Sequence, residues 1–499
     1  MSITTEAPPA QSRAKGPAPL RTGADFLASL DDGRCVMVDG ERVKNVATHP
    51  AFAGAARSSA KLFDIAADPA MRDRMTYACP ETGKPIWRAY QIPKTHADLK
   101  AKRLASETWS EVSHGLIGRT PDHVSNFFTG YAAVPEVFAQ GGQQYADNVV
   151  NFYGRMRDNH QWMTYAIVPP QIDRSKPAHQ QTDPTLYAGV VKETDAGIVV
   201  SGAQQLATAG VFSDWIYVSC IHPLRPGDEN YAIGVAIPAN APGLKLYPRR
   251  PFALQAPDAF DNPLSSKYDE SDCFLVLDNV FIPWEQVFIY RNLQVCFEQW
   301  WKTPSHAYGN LQAQARYVTK LRFMMGLAKR MNEATGNDAN PAVQIQMGEL
   351  AALAQTVETM LEAQEIRATI DDKGVIWPCR ASLYAVMALQ SENNPRMVDI
   401  IRELTGAAMI SMPSSVKDLQ SPETVGDVER YMGSGVMGAK ERIALMRLAW
   451  DFIGSEFGNR HQQYEKFYGG ASFLVKQNMY RCYDFKRATA MVDRELAGE

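Results

Sequence analysis

The sequence predicts an α+β fold: a helical N-terminal region, a strand-rich middle and a C-terminal helical bundle. Two changes of texture carry that expectation. Apolar residues recur at helical spacing up to about residue 160, and short Val-, Ile-, Tyr- and Phe-rich runs then alternate to about residue 290. Helical spacing returns beyond that point. Size agrees, since 499 residues with 45% hydrophobic and 21% charged positions suit about three folding units of roughly 100–200 residues each.

Residues 1–20, with Pro8, Pro9, Pro17 and Pro19 and no apolar core segment, read as a disordered leader, neither signal peptide nor anchor. Residues 21–161 form the helical domain, where Ala24, Phe26, Leu27 and Leu30 open an amphipathic turn and Leu99, Leu104, Trp109 and Val112 share a later face. Residues 162–290 hold six to eight strands. Leu186–Thr194 and Ile198–Thr208 flank the turn Asp195-Ala196-Gly197 as a hairpin, and Trp215–Ile221, Tyr231–Ile237, Leu244–Tyr247 and Cys273–Ile282 follow. Residues 291–499 form the bundle, with Leu350, Leu353, Val357, Met360 and Leu361 on one helical face and Ile443, Met446, Leu448, Trp450 and Ile453 on another.

The 51 basic and 55 acidic residues leave a net charge of −4, which argues against sequence-independent nucleic-acid binding. No stretch approaches the roughly 18 apolar residues of a membrane span. Seven cysteines, at 35, 79, 220, 273, 296, 379 and 482, form no CxxC, the usage of reduced cytoplasmic thiols. The nine histidines include no HxxxH or HExxH, so no metal is expected, and G-x-S-x-G and Walker motifs are absent. Gly433-Ser434-Gly435-Val436-Met437-Gly438 matches G-x-G-x-x-G letter for letter. A dinucleotide turn, however, needs a strand before it and alternating strands and helices around it. Pro422–Tyr431 is polar and acidic, and the neighbourhood is helical, so the motif reads as a loop entering the helix at Lys440.

Gly118-Arg119-Thr120-Pro121-Asp122-His123 sets a cation, an anion and a titratable ring on a proline-held backbone; the same string serves as a helix-capping turn. Pro169-Pro170-Gln171-Ile172-Asp173-Arg174 lies where helical text becomes β, as a rigid linker or a cofactor-binding junction. Asp278–Glu285, with Trp284, closes the β region as a strand end and turn.

Together these segments resemble the oxygenase-component family of 4-hydroxyphenylacetate 3-monooxygenase. Its carriers are Arg21-Thr22-Gly23, Val46–Pro50, Gly118–Asp122, Pro170–Arg174, Gly197–Ala203, Asp278–Trp284 and Gly454–Arg460, in order over nearly the whole chain. The resemblance implies an acyl-CoA-dehydrogenase-like fold, with a helical domain, a middle β-barrel and a C-terminal four-helix bundle assembled as a homotetramer. It also implies a cytoplasmic two-component monooxygenase. A separate NAD(P)H flavin reductase supplies reduced FAD, and dioxygen then delivers one oxygen atom to a phenolic or other electron-rich aromatic substrate. A diffusible flavin accounts for the missing dinucleotide fingerprint.

By the same resemblance, Arg119 lines the pocket and holds substrate. Ala166, Ile167, Gln171, Ile172, Asp173, Arg174 and Thr208 match flavin-contacting positions, Ile221 and His222 match the stretch closing over substrate, and Ala471, Ser472 and Phe473 fall where a neighbouring subunit's bundle would touch the flavin. Where the family carries a pocket tyrosine this chain has His123, and where it carries a histidine this chain has Tyr165. The exchanged pair still suits a phenol, with His123 as base and Tyr165 as donor. Two other enzymes share the fold. A 4-hydroxybutyryl-CoA dehydratase type of FAD lyase needs clustered thiolates for iron and sulfur, but no cysteine lies between Cys79 and Cys220. An acyl-CoA dehydrogenase needs a bundle carboxylate, for which Glu349, Glu358 and Glu362 stand available. A flavin-binding homologue without activity is the remaining alternative.

Overall fold

A computed structural model of the chain describes residues 19–256 and 258–497. All but the last two residues of the predicted leader lie outside them.

The N-terminal region comprises α1 (Gly23–Ser29), β1 (Cys35–Val38), β2 (Glu41–Arg42), α2 (Ala53–Ala67), α3 (Arg72–Met75), the hairpin β3 (Thr76–Ala78) and β4 (Pro85–Trp87), then α4 (His96–Glu111), α5 (Asp122–Ala133), α6 (Glu136–Ala139) and α7 (Gln143–Asp158). Capping boxes start α1 and α4: Thr22 pairs reciprocally with Asp25, and Thr95 with Asp98, satisfying backbone N–H groups that a first turn leaves free. Of the predicted apolar faces, Phe26, Leu30, Leu99 and Trp109 are buried, Leu27, Leu104 and Val112 are half-buried, and Ala24 turns to solvent. Phe26 stacks on Phe63 at 4.6 Å, and the Trp87 ring meets Trp109 edge-on at 5.3 Å.

The middle region holds β5 (Met163–Ala166), β6 (Gly189–Thr194), β7 (Gly197–Thr208), β8 (Trp215–Ser219), β9 (Ile233–Pro238), β10 (Leu244–Pro248), β11 (Asp272–Pro283) and β12 (Val287–Tyr290). The predicted hairpin is β6–β7, and the four further predicted runs are β8 to β11. Among the described residues these strands do not close into the expected barrel. They form two sheets, ordered β2-β1-β10-β11-β7-β6 and β12-β9-β8-β5. A single bridge, Val168 to Gln205, links the chain after β5 to β7. Pro169 and Pro170 follow at once and carry no N–H to continue the ladder, so the gap between the sheets stays open there. The helical reading of residues 21–161 also missed β1, a four-residue strand that pairs in parallel with β10.

The C-terminal region contains α8 (Leu293–Glu298), α9 (Ser305–Ala334), α10 (Pro341–Ile366), the short hairpin β13 (Thr369–Ile370) and β14 (Ile376–Trp377), α11 (Arg380–Thr405), α12 (Val425–Tyr431), α13 (Ala439–Ile453), α14 (Glu456–Phe467), α15 (Ser472–Cys482) and α16 (Phe485–Ala497). Leu350, Val357 and Leu361 of α10 and Ile443, Met446 and Ile453 of α13 are buried as predicted, whereas Trp450 turns outward at 38% exposure. Gly433–Gly438 is the loop between α12 and α13, with no strand before it. Helix α9 is the axis of the bundle and is buried on nearly every side. Its close approach to α5 depends on Gly309, whose Cβ would fall 2.0 Å from the Phe127 ring. Among the described residues no helix is long and apolar enough to cross a membrane.

Candidate active site

The turn before α5, strand β5, helix α9 and helix α14 converge on Arg119. Its backbone is pinned first, because the carboxylate of Glu270 accepts from the N–H groups of Gly118 (2.7 Å) and Arg119 (2.9 Å), and Trp162 Nε1 donates to the Arg119 carbonyl (3.1 Å). The guanidinium then lies between two rings, 5.3 Å from the Tyr165 centroid and 5.4 Å from that of Tyr464. Gly118 makes room for this sandwich, since a Cβ there would sit 2.5 Å from Tyr464 Oη. Arg119 is buried, and among the described residues no carboxylate forms a salt bridge with it. Burial opposes its charge, but Tyr165, Tyr464 and Glu270 hold its pKa above the ordinary value. A desolvated cation without its own anion is poised for an anion or a phenolic oxygen.

His123 lies beside it, one helical turn on. Arg119 Nη1 is 2.7 Å from Nε2, Tyr165 Oη is 3.4 Å from the same nitrogen, and Nδ1 faces Gln312 Oε1 at 2.8 Å. Burial, followed by the Arg119 charge, pushes the imidazole well below its usual pKa, so His123 is neutral at physiological pH. The turn is also a helix entry, though not capped as its sequence suggested. Pro121 occupies the cap position, and Thr120 Oγ1 braces the turn by donating to Asp122 Oδ1.

A network of charges ties this cluster to the sheet and bundle. Arg460 on α14 donates to Glu270 (2.7 Å) and to both oxygens of Asp272 (2.6 and 2.9 Å), and Thr208 Oγ1 donates to Asp272 (2.7 Å). Five residues further along α14, the buried Glu465 carboxylate accepts from Arg316 (2.8 Å) and Lys320 (3.0 Å) of α9. Helix α14 thereby holds the Tyr464 ring against Arg119.

A cavity of about 350 Å³ opens beyond the C-terminal end of β5, from Pro169 onward. Gln171, Asp173, Arg174 and His222 line it, together with Lys176, Arg225 and Gln204. Three cationic side chains at one opening suit a pyrophosphate, and Gln171 offers an amide to a ring edge. Asp173 spends its carboxylate on its own turn, accepting from the N–H and hydroxyl of Ser175 (3.0 and 2.6 Å) and pairing with Lys176 (3.3 Å). From Tyr165 to Gln171 an extended chain covers at most about 20 Å, the scale of a dinucleotide.

The structure therefore brings Arg119, His123 and Tyr165 into contact and gathers Gln171, Asp173, Arg174 and His222 at one cavity. Thr208 belongs to the network beside Arg119, four residues along β7 from Gln204. Ala166 and Ile167 are core residues, with Ile167 accepting from the Ile221 N–H (2.9 Å), and Ile172 turns outward at 52% exposure. Ala471 and Ser472 begin α15 and Phe473 is 70% exposed, yet the next residue, Leu474, lines this chain's own cavity. Glu349 pairs with Arg396 (2.8 Å) and Glu358 with Arg322, both toward solvent and away from this cluster. Among the described residues no three His, Cys, Asp or Glu side chains gather as a metal group. Gln312, Tyr464 and Glu270 were not foreseen. For Tyr464 a signal existed, because it follows Arg460 by four residues on one helical face.

Two family models match the chain, "4-hydroxyphenylacetate 3-hydroxylase N terminal" over residues 22–289 and "4-hydroxyphenylacetate 3-hydroxylase C terminal" over residues 296–497. The 4-hydroxyphenylacetate 3-monooxygenase oxygenase component of Pseudomonas aeruginosa is 35% identical, covering 95% of this chain and 91% of its own. The oxygenase component of a 4-nitrophenol 2-monooxygenase from a Rhodococcus species is 32% identical, covering 91% and 87%. The crystal structure of the oxygenase component HpaB of 4-hydroxyphenylacetate 3-monooxygenase, complexed with FAD and 4-hydroxyphenylacetate, superposes with a TM-score of 0.90 at 32% identity, covering 96% and 98%.

Proposed function

The chain belongs to the 4-hydroxyphenylacetate 3-hydroxylase family, and from that premise we propose that Arg119, His123 and Tyr165 hold a phenolic ring for hydroxylation by reduced FAD and dioxygen. The protein acts as the oxygenase component of a two-component flavin-dependent monooxygenase, taking reduced FAD from a separate NAD(P)H flavin reductase. The observation that carries the site assignment is the buried Arg119 guanidinium, stacked between two tyrosines and, among the described residues, in no salt bridge with a carboxylate.

Each residue has a separate task. His123, neutral in its buried setting, accepts the phenol proton at Nε2 as Arg119 Nη1, which donates to that nitrogen in this structure (2.7 Å), shifts to the phenol oxygen. Arg119 stabilises the oxygen anion left behind, and a phenolate ring is more electron-rich than the phenol. Tyr165 donates to the same oxygen. Arg174, with Lys176 and Arg225, holds the phosphates of FAD, Gln171 meets its ring system, and Thr208 braces Asp272 on the Arg119 side of the site. Reduced FAD supplies the two electrons that activate dioxygen. The exchanged tyrosine and histidine keep one donor and one acceptor at the pocket but move them, which favours a phenol other than 4-hydroxyphenylacetate, of the breadth that the nitrophenol enzyme illustrates.

The aromatic side chains Phe473, Tyr480, Tyr483 and Phe485, exposed along α15 and α16, support assembly through this end of the bundle as a homotetramer. The scattered free cysteines support a cytoplasmic setting. The test combines the purified chain with NADH, FAD and a flavin reductase over a panel of phenols and heteroaromatics, reading oxygen uptake and ring-hydroxylated product. Uncoupled hydrogen peroxide alone, across the whole panel, would overturn the reading.

A further inference from the structure

We propose that Gln312 is a positioning residue that locks His123 in its Nδ1–H form and so turns Nε2, as an acceptor, toward Arg119 and Tyr165. The proposal rests on the site assignment above and adds to it a residue from another domain.

The argument follows donors and acceptors outward from Asp122. Thr120 Oγ1 spends its proton on Asp122 Oδ1. Its lone pairs are then free, and Gln312 Nε2 donates to that hydroxyl (2.9 Å) and to Asp122 Oδ1 (3.2 Å). Both partners demand the amide nitrogen, so the amide oxygen must face the other way, toward His123 Nδ1 at 2.8 Å. An amide oxygen only accepts, hence Nδ1 carries the hydrogen. The opposite nitrogen, Nε2, has Arg119 Nη1 as its nearest neighbour at 2.7 Å, and a guanidinium only donates. The two ends of the ring thus specify the same tautomer independently. Arg119 Nη1 also passes 3.4 Å from Nδ1, and the shorter contact is the one that fits the tautomer.

The groups facing the ring come from four elements: Arg119 from the turn, Phe127 from α5, Tyr165 from β5 and Gln312 from α9. Among the described residues Gln312 is the one acceptor that faces Nδ1. It is 1% exposed and fully engaged, so it cannot rotate without leaving a buried polar group unpaired. Since α9 belongs to the bundle, docking of the bundle is what commits the pocket's acceptor.

The test uses the full chain, labelled with ¹⁵N-histidine and assigned by loss of signal in His123→Asn. Wild-type His123 should show a protonated Nδ1 and a bare Nε2. Gln312→Met, close to isosteric, should lose that preference in an Arg119→Met background, where the other constraint on the ring is gone, and alone should lower turnover about tenfold, one neutral hydrogen bond's worth, with FAD affinity within about twofold of wild type. A wild-type Nε2–H tautomer, or an unchanged tautomer in folded Arg119→Met/Gln312→Met, would overturn the proposal. Should that variant fail to fold, neutron crystallography of the wild-type chain decides alone: a deuteron on Nδ1 supports it and one on Nε2 defeats it. Turnover is not needed for either spectroscopic reading, so failure to hydroxylate any phenol would sink the functional assignment without touching this result.

Discussion

Glu465→Gln is the substitution that strains the architecture of the site most directly. The carboxylate is 1% exposed and neutralises two buried cations, Arg316 and Lys320, while accepting from Gln390 as well. Burial alone would raise its pKa, yet Arg316 and then Lys320 push it down to about 2. Against an unfolded value of 4.5, that pairing contributes about 3 kcal/mol at neutral pH, present above pH 4.5 and lost as the pH falls through about 2. A glutamine keeps the volume but strands both cations and turns an amide N–H toward other donors, so the cost is about 3–5 kcal/mol. For a unit of about 200 residues this is a fall of about 6–20 °C in the apparent unfolding midpoint. Differential scanning fluorimetry at fixed protein concentration reads it. The control is Glu349→Gln, which breaks a solvent-side pair with Arg396 and should cost less than about 1 kcal/mol. If the two variants lose the same small amount, the claim that α14 is fastened to α9 through a buried charge is wrong.

Arg174→Ala removes an exposed cation from the cavity mouth without touching the phenol cluster. It should raise the KM for reduced FAD about tenfold, the effect of one charge-assisted contact, and leave kcat at saturating flavin unchanged; a fall in kcat alone would place Arg174 elsewhere in the reaction. Acid stability has a defined sign too. His123, His160, His306 and His461 are all held below their ordinary pKa by burial, His160 down to about 4 and His306 to about 3. Each binds a proton in the unfolded chain below about pH 6.5 but stays neutral when folded, so each removes about 1.4 kcal/mol per pH unit below that point. Asp122, pushed up to about 6 by burial, offsets one of them below pH 6. Urea midpoints should therefore drop steeply between pH 6.5 and 5, and a flat profile would contradict the buried-neutral assignment.

Much of this was legible one-dimensionally, and the reason is periodicity. Strand β11 alternates, β7 is a Val- and Ile-containing run entered from the turn Asp195-Ala196-Gly197, and α10 and α13 carry apolar residues at helical spacing, so pattern alone located them. The unclosed barrel was not legible, because its opening depends on Pro169 and Pro170 halting one ladder between strands distant in sequence. Arg119, His123 and Tyr165 came from resemblance, and the geometry places them together. Gln312 was invisible for a physical reason: Gln312, Gln314, Arg316 and Lys320 are all buried, and in sequence a buried polar face of α9 looks the same as a solvated one. The partners that make them affordable lie in α5, α11 and α14.

The parallel pairing of β1 with β10 also constrains how the chain is made. Cys35 pairs with Lys245, so this strand waits for about 210 further residues before its partner exists. On a ribosome extending at roughly 5–20 residues per second, that is a delay of about 10–40 s in which a short β-edge near the N-terminus stands open. The fold is thus dominated at this point by distant contacts, which slows folding and invites foreign strands. β1 spans only four residues, Cys35–Val38, and so brief an edge offers a stranger little to hold while synthesis catches up.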